Sequence, residues 1–598
     1  MKKQIECGRL HSHGLRPGVA CLALWGLCAQ AGAAAGPPTV LYVDVDAEPG
    51  GDGTTWATAF VDLTDALSAA AGSSGQVNQI WVAAGVYKPD RATGDRSASF
   101  HLGNGLALYG GFAGGETDLA ERDVSLNLTT LSGDLGVPGD TSDNSFHVVV
   151  ADLNDETAVL DGFTITGGNA DGVDPDDGGG GIRVYGGGSP TFRDCTVTLN
   201  TAARFGAGAY LFVNNRSTFE GCTFSSNVVT GTTWPEGGGG LYAYAECDPV
   251  LTDCVFRANS ATYGAGMAIL FNCEPVLTSC TFEGNTGPIE SQGANQGAGL
   301  YAYSFCQPAL QRCVISDNTA GFGGGMASLL ESTATLDDCI IRNNDAVGSG
   351  GGLYTSSSSF VGLYDCLIAG NTATLGGGLM NVDNSNTGLV NCTVVGNSAI
   401  FGGGLYISDS AAAVSNSILW SNTSSGVMDE PAQIGVSGSA ALVGFSTVQG
   451  WTGMFGGVEN NGTDPLMRDP DGPDDVFGTS DDDPRLQAGS PAIDTGDSAA
   501  VPPGVVTDLD GRPRVFNAIV DRGAYEFIPA IPGDLDQNGT VDLDDVSAFA
   551  GCMAGPDVTT PPPGCDPEQF QRADLDGDAD ADLADFAPLS ANLTDSGS

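Results

Sequence analysis

The chain has 598 residues, of which 89 are glycine, and it carries 21 Lys+Arg against 73 Asp+Glu for a formal net charge of −52. That length exceeds what one ordinary core can fill, so several domains or a solenoid is expected. The charge excludes nucleic acid and anionic lipid as partners, and it suits cations, calcium above all, as well as serving solubility.

Residues 1–35 read as a signal peptide for secretion. Lys2, Lys3, Arg9 and Arg16 precede an apolar run over 19–28, and small residues follow. The run is too short to span a bilayer and no later stretch approaches that length, so no membrane span is expected. Thirteen of the 16 cysteines lie beyond the leader, in what would be an extracellular, oxidising setting. Residues 38–135 are expected to form an N-terminal cap and entry coils. Within 56–71, Phe60, Leu63 and Leu67 stand at helical spacing and predict a short amphipathic helix over the open end of a stack.

Over 136–450 an internal repeat predicts the fold class: all-β, a right-handed parallel β-helix solenoid. Cys195, Cys222, Cys254, Cys280, Cys313, Cys339, Cys366 and Cys392 recur at spacings of 27, 32, 26, 33, 26, 27 and 26 residues. Five residues after each comes an asparagine: Asn200, Asn227, Asn259, Asn285, Asn318, Asn344, Asn371 and Asn397. A ninth copy keeps Asn422 but has Ser417 in the cysteine position. Glycine clusters such as 237–240 and 376–378 separate the units. In each unit Cys and Phe/Val/Ile at i and i+2 point inward on short strands, and stacking the units builds one continuous core. Stacked asparagine amides can bond up and down their column. The cysteines read as an interior ladder, with a shorter second column at Cys247, Cys273 and Cys306. Disulfides between neighbouring coils remain an open alternative.

Residues 451–530 form a closing segment, and 531–598 a small module with the clearest chemical signal. Asp534, Asp536, Asn538, Thr540, Asp542 and Asp545 stand at positions 1, 3, 5, 7, 9 and 12 of a calcium loop with Gly539 at the sharp turn. A second copy has Asp574, Asp576, Asp578, Asp580, Asp582 and Asp585, but Ala579 replaces the turn glycine and Pro588 is expected to interrupt the helix that follows. Ca2+ is therefore the expected cofactor. Cys552 and Cys565 flank a Pro-rich insert between the loops and predict a disulfide.

The Gly-Gly-Gly-Leu and Phe-x-x-Asn signatures (Phe224 with Asn227, Phe256 with Asn259, Phe282 with Asn285) resemble the repeats of polymorphic outer-membrane proteins and, more widely, bacterial right-handed parallel β-helix repeat proteins. The paired aspartate loops, each leading into a short helix, resemble a type I dockerin. That resemblance implies two bound calcium ions and docking to a cohesin-like or cell-surface protein partner through the helix starts, here Leu543, Asp544, Leu583 and Ala584.

For the β-helix face two classes compete. A hydrolase needs two carboxylates at a set separation and a lyase needs calcium plus a base. The coils carry single acids (Asp194, Asp253, Asp365), scattered arginines (Arg183, Arg204, Arg257, Arg342), and one acid pair, Asp337 with Asp338, that reads as a polar turn. His101 and His147 precede the regular repeats. No catalytic residues are assigned. The expectation is a secreted or cell-surface, non-catalytic β-helix for adhesion or polysaccharide and matrix binding. The alternative is a polysaccharide lyase or glycoside hydrolase of the pectate-lyase-like type, with its cleft beside the inserts 169–178, 228–236 or 288–296.

Overall fold

The computed structural model describes residues 39–287, 295–529, 531–536 and 538–593. The leader expected over 1–35 and most of the insert 288–296 lie outside them. From Thr39 to Val448 the chain winds as a parallel β-helix. One coil shows the path: Thr218–Glu220 lies in the first sheet, Thr223–Ser225 in the second, Leu241–Tyr244 in the third, and Val250–Thr252 then pairs parallel to Thr218–Glu220. Among the described residues these sheets have 14, 13 and 12 strands, and short ladders of three and five strands run between the second and third.

Three-residue strands keep one residue inward, and inward residues pair with their own kind one coil away. Phe192 faces Phe219 with ring centroids 4.9 Å apart, and Phe224, Phe256 and Phe282 follow at 4.7 and 4.8 Å. Those separations match the spacing of paired strands, so backbone and side-chain ladders share one repeat. Each fully buried ring contributes roughly 1.5–3 kcal/mol. The bend before each core cysteine is left-handed, with φ of 46°, 53°, 53° and 50° at Asp194, Asp253, Asp338 and Asp365. Asp and Asn tolerate that conformation better than other side chains, which accounts for acids at these positions. The glycine clusters reflect close approach: a Cβ on Gly240 would lie 2.5 Å from the Gly266 carbonyl of the next coil.

The asparagine column is fully buried and continuous. In each coil the Oδ1 accepts both the backbone N–H and the Nδ2 of the preceding Asn, as at Asn318, which receives Asn285 at 2.9 and 3.0 Å. Its own Nδ2 donates to the Phe282 carbonyl and to Asn344 Oδ1, both at 2.9 Å. The column ends on a side chain absent from the repeat: Gln433, in a single helical turn Glu430–Gln433, accepts from Asn422 Nδ2 at 2.7 Å. Among the described residues the core cysteines are free and buried, eleven in all, with no disulfide between coils. Desolvation pushes the thiols of Cys222, Cys339 and Cys366 well up. Both cysteine columns continue as serine. The Cys306 amide donates to Ser332 Oγ (3.2 Å) and the Cys392 amide to Ser417 Oγ (3.1 Å), so the position demands a small side chain that accepts a neighbouring N–H.

The capping helix, α1, spans Leu63–Gly72 and buries Leu63, Ala66 and Ala70 against the first strands. It begins later than expected, because Trp56–Thr58 forms a 3-10 turn and Phe60 bridges to Val43 in strand geometry.

Residues 451–529 do more than close the end. Trp451 and Phe455 pack on the last coils, after which the chain returns along the outer face of the second sheet. There Met467–Asp469 pairs antiparallel with Asp483–Leu486, and Met467 and Leu486 pack on Leu367, Val395 and Ile418. Arg514 is the fixing bolt: fully buried, it contacts Asp365 at 2.9 Å and Glu526 at 2.8 Å. Burial pushes the carboxyls of Asp338 and Asp365 up to about 7 and that of Glu526 up to about 8.

The C-terminal module holds α2 (Leu543–Cys552), α3 (Pro567–Ala573) and α4 (Phe586–Asn592) around Leu535, Val541, Phe549, Phe570, Ala581 and Leu589. Helix α3 was not anticipated between the loops. Pro588 does not interrupt α4; it sits in the first turn, where a missing N–H removes no helical bond.

Candidate functional site

Along the third sheet, alternation turns aromatic side chains outward. In Leu241–Tyr244, Leu241 and Ala243 join the core while Tyr242 and Tyr244 face away from it. The register stacks Tyr185, Phe212, Tyr244, Leu270 and Tyr303 in one row, with Tyr210, Tyr242, Ala268 and Tyr301 beside it. Tyr185 and Phe212 stack at 4.4 Å, and Phe212 and Tyr244 at 5.6 Å. Where Leu270 interrupts the row, Phe271 fills in from the next turn, 5.1 Å from Tyr244, and Trp234 reaches over from the insert 228–236 to lie 5.4 Å from Tyr303.

The inner row is buried, and Tyr242 Oη donates to the Pro235 carbonyl at 3.0 Å, so the insert and the sheet hold each other. The aromatic residues of the outer row are half-buried, whereas Trp234 is 48% and Phe305 46% exposed. Phe271 and Phe305 take φ of 62° and 60°, left-handed values that cost a bulky residue backbone strain. Phe305 projects into solvent, whereas Phe271 is half-buried against Tyr244 and Tyr303.

At the N-terminal end of this strip the charged groups are paired with one another. Arg183 contacts Asp152 at 2.7 Å and donates to His147 Nε2 at 3.0 Å, while His147 Nδ1 meets the Gly179 carbonyl at 3.0 Å. Burial and the Arg183 charge hold the His147 pKa down, which favours neutral imidazole. Arg204 bridges Asp177 (3.2 Å) and Glu236 (3.1 Å). The inserts 169–178 and 228–236 thus flank the aromatic strip. Tyr-Ala-Tyr, which puts two aromatic side chains on one outward face of a strand at Leu241–Tyr244 and again at Leu300–Tyr303, is the sequence signal for the strip, and the more regular Cys and Asn columns mask it.

In the first C-terminal loop the structure gathers Asp534, Asp536 and Asp545, whose oxygens lie within 4.8 Å of one another. Asp534 accepts the amides of Asn538 (3.1 Å) and Gly539 (2.9 Å), which curls the loop around that carboxylate. Asn538 Oδ1 accepts the Thr540 amide at 2.8 Å, and Asp542 caps α2. Asp545 Oδ1 accepts the Leu535 amide at 2.6 Å and its Oδ2 the Asp542 amide at 2.8 Å. The second loop repeats this winding. Asp574, Asp576 and Asp585 form one group and Asp580, Asp582 and Asp585 another, and Asp585 accepts the Leu575 amide at 2.6 Å. Asp578 bonds only along the loop, while Asp580 Oδ2 takes the Asp557 amide at 2.5 Å. Both donor sets are all oxygen, converging and short of positive charge, so the residues fit a hard divalent cation. Desolvation raises Asp534 to about 6, as expected for a carboxylate crowded by others. Cys552 and Cys565 are joined, with Cα atoms 5.1 Å apart.

No curated protein matches the chain in sequence. Among solved structures, pectate lyase Pel9A is similar at a TM-score of 0.38 with 12% identity, covering 81% of this chain and 96% of its own. The A-module of the Azotobacter vinelandii mannuronan C-5 epimerase AlgE4 gives 0.35 and 15%, covering 62% and 94%. The family described as a right handed beta helix region matches residues 142–296 and 289–440, together half of the chain. The chain therefore belongs to the right-handed β-helix family.

Proposed function

We propose that this protein is secreted and takes up an extended polysaccharide along the aromatic strip of its third sheet, without turning it over. The observation that carries the reading is the outward row Tyr185, Phe212, Tyr244, Phe271, Tyr303 with the overhanging Trp234. Aromatic side chains bury the apolar C–H surface of pyranose rings, and a row repeating at the strand spacing suits a linear chain better than a compact ligand. A screen of uronate and neutral glycans, with and without calcium, tests it. Binding to at least one polymer is expected, weakened tenfold or more by Trp234→Ala; no binding to any polymer overturns the reading.

A second reading, a polysaccharide lyase or glycoside hydrolase, draws on Asp174, Asp176 and Asp177 in the insert beside Tyr185 and Tyr210. Shortened or unsaturated products in the same screen would establish it in place of the first.

We further infer that the C-terminal module binds two calcium ions and docks the β-helix to a partner protein. Support comes from Leu543 and Leu583, which occupy equivalent positions after the two loops and are 71% and 75% exposed. Leu543→Asp with Leu583→Asp abolishes capture of a cohesin-type partner if this surface is the contact, and leaves capture intact if it is not.

A further inference from the structure

The outward face of the third sheet has little positive charge to offer. Among the described residues Arg183 is the one arginine or lysine in its strands, and it is spanned by Asp152 at 2.7 Å and Asp176 at 3.8 Å. The bordering segments add Arg204, held between Asp177 and Glu236, and Arg216, 3.5 Å from Asp248. Each of these cations already faces a carboxylate. The surplus is negative: Asp174 lies beside Tyr185 and Tyr210, and Glu246 and Glu274 are exposed on the turns that follow the strands.

A polar row runs beside the aromatic one. Two residues beyond Phe212, Tyr244 and Leu270 stand Asn214, Glu246 and Asn272, stacked coil on coil. The Asn214 amide donates to the Ala245 carbonyl and the Glu246 amide to the Phe271 carbonyl, both at 3.0 Å. All three are exposed, and among the described residues none makes a side-chain hydrogen bond. The left-handed bend, with φ of 55°, 59° and 57°, accounts for asparagine at 214 and 272 but not for glutamate at 246.

Amides and carboxylates exchange hydrogen bonds with sugar hydroxyls, at the edge of rings that bury the apolar side of the sugar. A carboxylate on every sugar would instead meet Asp174, Glu246 and Glu274 with each nearby arginine already engaged. Like charges within a Debye length, about 8 Å, repel one another.

We propose, on the glycan reading of the strip, that this face selects a neutral, hydroxyl-rich polysaccharide and excludes uronate polymers, with Asn214, Glu246 and Asn272 bonding the hydroxyl groups of the chain laid on the aromatic row. The aromatic rings accept any pyranose, whereas the polar row and the acids around it discriminate by charge.

Titration calorimetry of the full chain tests it, with neutral, uronate and glucosamine oligosaccharides as probes, each with and without calcium and at low and high salt. The tightest ligand should be a neutral one, bound at least tenfold more tightly than any uronate and with an affinity indifferent to salt. Glu246→Gly with Asn272→Gly should weaken that neutral ligand roughly tenfold; glycine adopts the left-handed bend freely, so the fold is not at stake. A uronate or glucosamine oligosaccharide bound as tightly as any neutral one, with or without calcium, overturns the selectivity; if Trp234→Ala still weakens that ligand, the strip remains a glycan face. A double variant that binds the neutral ligand as the wild type does overturns the role of the polar row. Binding to none of the probes removes the selectivity and the glycan reading together.

Discussion

In the coils each buried asparagine amide meets a copy of itself one turn away, whereas in the two C-terminal loops each carboxylate meets other carboxylates. The first arrangement is self-sufficient, because an amide both donates and accepts and the column satisfies itself until Gln433 ends it. The second is incomplete, because an ionised carboxylate only accepts, and loop amides supply part of what six acids in the second loop demand. One region should therefore stand without any ligand and the other should not.

The widest gap between them should open on removing calcium. With chelator, the far-UV helix signal of α2, α3 and α4 should be lost while the β signal of the coils stays, since loops that crowd like charges fold only with their ion. A loss of both signals together would contradict the contrast drawn here.

Breaking the self-sufficient region requires a mutation. Asn318→Leu removes the acceptor of the Asn285 amide and Nδ2 and the donor to Asn344, leaving buried groups orphaned on both sides. Destabilisation of about 3–5 kcal/mol is expected in a guanidinium titration of the coils, with or without calcium. A change below 1 kcal/mol would show that water or backbone adjustment repairs the column.

The disulfide sharpens the contrast at a smaller scale. Cys552 and Cys565 close a short loop between the calcium loops, so Cys552→Ser with Cys565→Ser should cost the calcium-loaded module about 3 kcal/mol in thermal or denaturant unfolding. The coils, whose cysteines are free, should be indifferent to reductant.

How much of this was legible in the sequence follows the same division. The repeat of Cys and Asn specified the winding, because stacking makes every coil subject to one constraint, and the six-donor spacing specified the loops, because the ligands are local in sequence. What the repeat concealed were departures from it. Gln433 ends the asparagine column from a helical turn of its own, Ser332 and Ser417 continue cysteine columns with a different element, and Tyr242 and Tyr244 matter for the face they do not share with the core. The return of the closing segment was out of reach for another reason. Arg514 meets Asp365 across 149 residues, and nothing in either local pattern signals the partner.

The smallest expected effect separates the two loops from each other. Position 6 of the first is Gly539 with φ 87°, and position 6 of the second is Ala579 with φ 73°, so the same left-handed turn is made once freely and once against a Cβ. The closing carboxylates are held alike: Asp545 and Asp585 each accept two amides at the start of their loop through Oδ1 and one through Oδ2. Ala579→Gly should therefore relieve about 1 kcal/mol, which is roughly fivefold in the calcium affinity of the second loop by titration calorimetry. The reverse change at Gly539 should do more harm than that same 1 kcal/mol, because its Cβ would come 2.4 Å from the Phe516 ring as well as meeting the turn. If Ala579→Gly left the weaker site unchanged, the inequality of the loops would have to come from their acids, with Asp580 and its bond to the Asp557 amide the first place to look.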